Sequence, residues 1–212
     1  MFVGLVCVIA LTGASYGKTP SFKKDAKTAS KVHEPNFDSV KSSERLEALE
    51  ADKNKSLKIS PERIKSKLKS EKDPLVRHRL NQALAASGTD DVLNMLVDAL
   101  KKDPDPMVRQ GAAQSLSQYS KNSFAAQSLA ESLGTEVVPA VRYACVLSLS
   151  LSESPEALAA LQKATDDPDV NIRKQLAYGL RWNSHKLAVK ILKKLKSDKD
   201  ASVRDIARKK EL

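Results

Sequence analysis

At 212 residues and 41% hydrophobic content, the chain can bury a core of ordinary domain size. Aromatics are only 4%, so that core must be built from Leu, Ala, Val and Ile. Lys and Arg outnumber Asp and Glu by 36 to 26, a surplus that favours acidic proteins, anionic lipid or nucleic acid as partners without choosing among them.

No charged side chain occurs from Met1 to Gly17; an apolar run, Phe2 to Leu11, is followed by the small, turn-prone Thr12 to Gly17. This is the apolar and cleavage region of a secretory signal, with Ser15-x-Gly17 or Thr12-x-Ala14 as the small-x-small site. The run is shorter than the ~20 residues of a spanning helix. No cation precedes it, so an uncleaved N-terminal anchor is the alternative to export into the periplasm or medium. Cys7 would leave with the signal and Cys145 would remain alone, so stability must come from packing rather than a disulfide.

Residues 18–59 are rich in Lys, Ser, Thr, Asp and Glu and offer little to offset the entropy of ordering. They read as a flexible charged linker with one short helix, Ser42 to Lys53, whose thin apolar face is Leu46, Ala48 and Leu49.

From residue 60 to 212 the sequence repeats. Val76-Arg77, Val108-Arg109, Val141-Arg142, Ile172-Arg173 and Val203-Arg204 recur at a nearly constant interval, and a period of about 32 residues is that of stacked helical hairpins. Thirteen residues before each arginine stand Ile64, Leu96, Leu129, Ala160 and Ile191. Nine before stand Leu68, Leu100, Leu133, Ala164 and Leu195, one helical turn further on. Three residues after come Leu80, Ala112, Cys145, Leu176 and Ala207, and seven after come Leu84, Leu116, Leu149, Leu180 and the exception Glu211. These columns predict a first and a second helix per repeat, in hairpins over about 60–87, 90–119, 123–151, 155–182 and 185–211. Asp73-Pro74 and Asp105-Pro106 are a helix cap followed by a first-turn proline; Asp169 and Asp200 keep the cap, Pro139 the proline. Gly88 and Gly134 fall where helices should stop.

Asp73-Pro-Leu-Val-Arg77, Asp105-Pro-Met-Val-Arg109 and Pro139-Ala-Val-Arg142 resemble the Asp-Pro-x-Val-Arg signature of HEAT and HEAT-like repeats, including those of the phycobilin-lyase type, over about 150 of the 212 residues. The resemblance implies an all-α fold, an α-solenoid (superhelix) of about five HEAT-like helical hairpins with second helices on its concave face. It also implies a ladder of Arg and Asp between neighbouring repeats, which makes Arg77, Arg109, Arg142, Arg173 and Arg204 structural. HEAT folds serve many functions, so the fold alone assigns none.

Chemistry is sparse. His33, His78 and His185 fall in the linker, on a second helix and in a loop, and no metal-ligand spacing, Cys-x-x-Cys or phosphate loop occurs. No catalytic residue, cofactor or metal is therefore expected, and a lyase- or glycosylase-like activity rests only on family analogy. A binding scaffold is better supported. At 100° per residue, positions one, five and eight after each arginine share a face of the second helix turned from the core. On it lie Tyr143, Leu147, Lys174, Tyr178 and Arg181, residues suited to anchoring a protein partner. Tyr143 and Tyr178 could instead pack between repeats, with Trp182 closing a helix end.

Charge is uneven: residues 59–79 hold seven cations against three acids, 80–180 eight against twelve, and 181–212 eleven against four. Lys190, Lys193, Lys194 and Lys196 belong to the basic C-terminal cap, which either keeps the solenoid's end soluble or docks it on an anionic surface. Aromatics for base stacking are missing there, which argues against nucleic acid. The sequence thus predicts an exported, monomeric scaffold with a protein partner, and an anion-docking module as its alternative.

Overall fold

A computed structural model describes residues 36–53, 59–86 and 90–208. The signal read at 1–17, the linker as far as residue 35, Gly88 and residues 209–212 lie outside them. Among the described residues there are eleven α-helices and no strand. They run α1 Ser42–Lys53, α2 Pro61–Ser70, α3 Pro74–Ala85, α4 Asp90–Lys102, α5 Pro106–Ser115, α6 Ser123–Thr135, α7 Pro139–Leu149, α8 Pro155–Lys163, α9 Val170–Leu180, α10 Lys186–Leu195 and α11 Ala201–Arg208. Short 3₁₀ turns extend α5 (Leu116–Tyr119) and α8 (Ala164–Asp166).

The helix starts follow from local chemistry. Four of the second helices open on an aspartate whose side chain accepts an otherwise orphaned backbone N–H: Asp73 from Leu75 (2.9 Å), Asp105 from Met107 (2.8 Å), Asp169 from Asn171 (2.7 Å) and Asp200 from Ser202 (2.9 Å). Each cap is worth about 1 kcal/mol. α7, which begins after Val138, has no such cap. Ser60, Asn122 and Ser154 start first helices in the same way. His185 is not merely a loop residue, for its Nδ1 accepts the Leu187 N–H at 3.2 Å and so caps α10. Gly134 lies inside the last turn of α6 rather than ending it.

Helices α1, α3, α5, α7, α9 and α11 pack one on the next in a single layer. α4, α6, α8 and α10 follow one another in a second layer, and α2 packs on α3. Between the layers the repeat columns are buried: Val76, Val108, Val141, Ile172 and Val203, then Leu80, Ala112, Cys145, Leu176 and Ala207; all but Val108 join one apolar cluster. Close approach within the first layer requires glycine at two places. A Cβ on Gly111 would overlap the His78 ring of α3, and one on Gly179 would overlap the Ser150 side chain that ends α7. Cys145 serves as a small apolar residue, since burial and then the Glu136 charge push its thiol up to about 12.

The linker reading needs correction. α1 has the bounds expected of the short helix, but it is no part of a tether: Phe37, Ala48, Leu49 and Ile59 are buried in the same core, and α1 packs on α3. The described residues from 36 onward therefore belong to the folded unit. The apolar face of α1 is thin because, among the described helices, it has a neighbour in its layer on one side only.

Candidate interaction surface

The second helices are held in register by a ladder of ion pairs, and the ladder sets what their exposed face presents. Arg77 grips Asp103 through Nε and Nη2, both at 2.8 Å. Arg109 grips Glu136 (2.8 and 3.1 Å), Arg142 grips Asp167 (2.8 and 3.1 Å) and Arg173 grips Asp198 (2.9 and 3.1 Å) in the same two-pronged way. In every case Nη1 turns back onto the carbonyls five and six residues earlier in its own chain. The planar guanidinium suits this task, because five fixed donors serve one carboxylate and one loop together. Each of these four arginines thus ties its own repeat to the turn of the next.

Two parts of the ladder escape a reading based on Val-Arg pairs. The acids form a column of their own, Glu71, Asp103, Glu136, Asp167 and Asp198, each six residues before an arginine. Each also accepts the N–H two residues on, which ties the turn to the rung. Arg45 of α1 supplies a further rung, with Nη2 on Glu71 at 2.8 Å and Nη1 on the Ser39 carbonyl at 2.8 Å. It stands one full repeat before Arg77, in register, but follows Glu44 rather than Val or Ile.

The rungs respond to pH in a defined sense. The Arg109 hydrogen bond, against opposing burial, and then the Val138 N–H and the Arg109 charge hold the Glu136 carboxyl below the usual carboxylate range. A depressed folded value contributes stability above the unfolded pKa of about 4.3, lost as pH falls through the folded one. Glu136→Gln should therefore be less stable than the parent chain at pH 6, and the gap should close in urea titrations below about pH 4. A gap unchanged down to pH 2.5 would contradict this assignment.

The members of the predicted stripe differ in freedom. The Tyr143 hydroxyl donates to Gln175 Oε1 at 2.8 Å, so this side chain bridges α7 to α9 while its ring stays partly exposed. Leu147 and Lys174 are half-buried. Tyr178 and Trp182 are 54% and 63% exposed, and the half-buried Arg181 guanidinium lies between them, 4.1 Å from the Tyr178 ring centre and 5.3 Å from that of Trp182. Trp182 is not among the anchors that the stripe predicts; its signal in the sequence is its place one residue after Arg181. Stacking fixes the guanidinium and leaves two large rings facing solvent, an arrangement that presents apolar area at little entropic cost.

In the basic cap, Lys194 is tied to Asp166 at 2.7 Å. Lys190, Lys193 and Lys196 are exposed and meet no acid among the described residues. No group of acids, histidines and cysteines among the described residues could hold a metal ion, and no described helix is long and apolar enough to cross a membrane.

The sequence pattern of the HEAT repeats family matches residues 61–150 and 138–209. The X-ray structure of the YibA protein of Escherichia coli is similar at 20% identity and a TM-score of 0.60, over 81% of this chain and 65% of that one. This chain thus spans just under two thirds of it. The complex of CpcE and CpcF of phycocyanin lyase from Nostoc sp. PCC7120 contains a chain similar at 21% identity and a TM-score of 0.57, over 92% of this chain and 79% of that one. At such identities the likeness is one of fold. No protein with a curated description matches the sequence.

Proposed function

The chain belongs to the HEAT-repeat family, and from that premise we propose that it is an exported scaffold that holds a protein partner against the exposed face of its second helices. The observation that carries the reading is the Tyr178–Arg181–Trp182 cluster, with both rings in solvent and the guanidinium fixed between them. Aromatic and Arg side chains held in this way are the usual anchors of protein interfaces. Tyr143, Leu147 and Lys174 extend the same face toward α7. Export is supported by the apolar run from Phe2 to Leu11 and is read directly by N-terminal sequencing of the protein from fractionated cells.

A second reading, docking of the basic end on an anionic surface, is favoured by the exposed Lys190, Lys193 and Lys196. Salt separates the two, because exposed charges are screened beyond about 8 Å at 0.15 M while buried aromatic anchors are not. Protein captured from the native extract should survive a moderate-salt wash. Tyr178→Ala or Trp182→Ala should weaken that capture about 5- to 150-fold, the equivalent of 1–3 kcal/mol. If high salt removes everything, and Lys-to-Glu changes in α10 abolish capture while the aromatic changes do nothing, the scaffold reading fails.

A further inference from the structure

We propose that the groove between α2 and α4 binds a small neutral ligand in which a planar amide, such as a primary carboxamide or lactam, is joined to an apolar body, with the Asn81 side chain as its receptor. The site lies among the first helices and does not depend on the reading of the aromatic face.

Asn81 stands where the repeat calls for an apolar residue. In the next three repeats the same place, four residues after the arginine, holds Ala113, Val146 and Ala177, each fully buried. Asn81 is 1% exposed, and neither its Nδ2 nor its Oδ1 meets a hydrogen-bonding partner among the described residues. An amide enclosed in this way destabilises a fold that alanine would suit. The groove beside it is a second, separate feature. α4, α6, α8 and α10 pack in series, whereas α2 rests on α3 and makes little contact with α4. The resulting groove of about 420 Å³ is walled by the apolar Leu68, Met95, Ala99 and Pro104, and Asn81 lines it from α3. That volume is in the range of small-ligand sites.

The lining selects the occupant. A carboxylate would serve Nδ2 and leave Oδ1 opposed, and an ammonium would serve Oδ1 and leave Nδ2 without an acceptor. A group with a donor beside an acceptor satisfies both. Water serves the amide poorly between apolar walls, because each molecule needs two to four polar partners. At the border of the groove Arg77 is held by Asp103 at 2.8 Å and Lys102 by Asp98 at 2.7 Å, while Lys69 is exposed to solvent. One neutral hydrogen-bonding side chain among apolar walls suits a small ligand, where a bound chain segment would need a row of them. The unbranched, adaptable Met95 is the wall that yields most easily to admit it.

The probe is benzamide, titrated into the isotope-labelled full chain while the Asn81 side-chain amide signals and the Met95 methyl signal are followed. We expect both to shift saturably with a midpoint on the order of 1 mM, usual for a fragment of this size. N,N-dimethylbenzamide, which has lost the donor, and benzoate, which has exchanged it for a charge, should bind at least about 10-fold more weakly. Asn81→Ala should abolish the Met95 shift yet melt no lower than the parent chain, since alanine removes an orphaned amide and favours the helix. An absent shift, or equal midpoints for the three probes, overturns the proposal. So does an undiminished Met95 shift in Asn81→Ala. A variant that keeps its helical circular dichroism but melts more than about 4 °C lower would show that Asn81 is served from within the fold, and overturns it as well. Should the variant fail to fold, the three probes on the parent chain decide alone.

Discussion

Arg173→Ala is expected to lower the unfolding free energy by about 3 kcal/mol, read from urea midpoints at neutral pH. The Arg173 and Asp198 side chains are only 3% and 6% exposed, so this rung is the most enclosed of the ladder. Removing the cation does more than delete an attraction: it strands a carboxylate that water cannot reach. Burial alone pushes the Asp198 carboxyl up, and the Arg173 hydrogen bond, the Asp200 N–H and the Arg173 charge together bring it below its ordinary value. Without Arg173 the burial effect prevails, and the variant should recover part of its deficit on acidification, when Asp198 takes up a proton. Replacing both partners by apolar residues of similar size should cost far less than either single change. Arg63 and Asp38 form the internal control, an ion pair with side chains 52% and 59% exposed, whose removal should cost less than about 1 kcal/mol. Equal losses from Arg173→Ala and Arg63→Ala would show that enclosure is not what gives the rungs their weight.

Much of this architecture is legible in the sequence for one physical reason: each hairpin buries the same two stripes, so the core columns return once per repeat and the helix bounds follow from Asp-Pro and Val-Arg. The acid column is equally periodic but harder to see, because it mixes Asp and Glu and because loop acids are ordinarily explained by solvation or capping. Only the fold shows that Asp103 does two things, accepting the Asp105 N–H within its own turn and both prongs of Arg77 from the repeat before. The exposed face is less legible. Helical periodicity places Tyr143 and Tyr178 on one face but cannot tell that the first donates to Gln175 while the second stacks on Arg181. Trp182 lies beyond the last residue of α9, where a periodic template stops assigning directions.

The same limit hides the first helix of the layer. At an interior repeat both sides of a second helix are covered, so its sequence is apolar enough to stand out. Among the described helices α1 packs chiefly on α3, and Glu44 and Asp52 take the places that Val76 and Leu84 hold one repeat later. What remains visible is Arg45 at the right spacing and Ala48 three residues beyond it, too little to separate from a charged linker. Ser39 belongs to the same account: a ladder that begins here needs no acid to receive an earlier arginine.

A chain that begins at Ile59 should therefore be less stable than one that begins at Asn36 by roughly 4–6 kcal/mol, although it keeps all five hairpins recognisable in the sequence. The shorter chain loses Phe37, Ala48 and Leu49, which are 3%, 0% and 5% exposed, and a buried Phe or Leu side chain contributes about 1.5–3 kcal/mol. It also leaves Glu71 without Arg45, a pair whose side chains are 3% and 9% exposed, and uncovers the face of α3 on which α1 packs. In a stack whose stability is a sum of repeats and their interfaces, that loss falls at one end and should loosen α2 and α3 before the rest. Calorimetry should show a melting temperature lower by about 10–20 °C, since 1 kcal/mol corresponds to about 2–4 °C at this chain length. Hydrogen exchange should place the early opening in α3 rather than α9. Should both chains melt together with α3 equally protected, residues 36–53 would be the tether that their composition suggests, and the ladder would begin at Arg77.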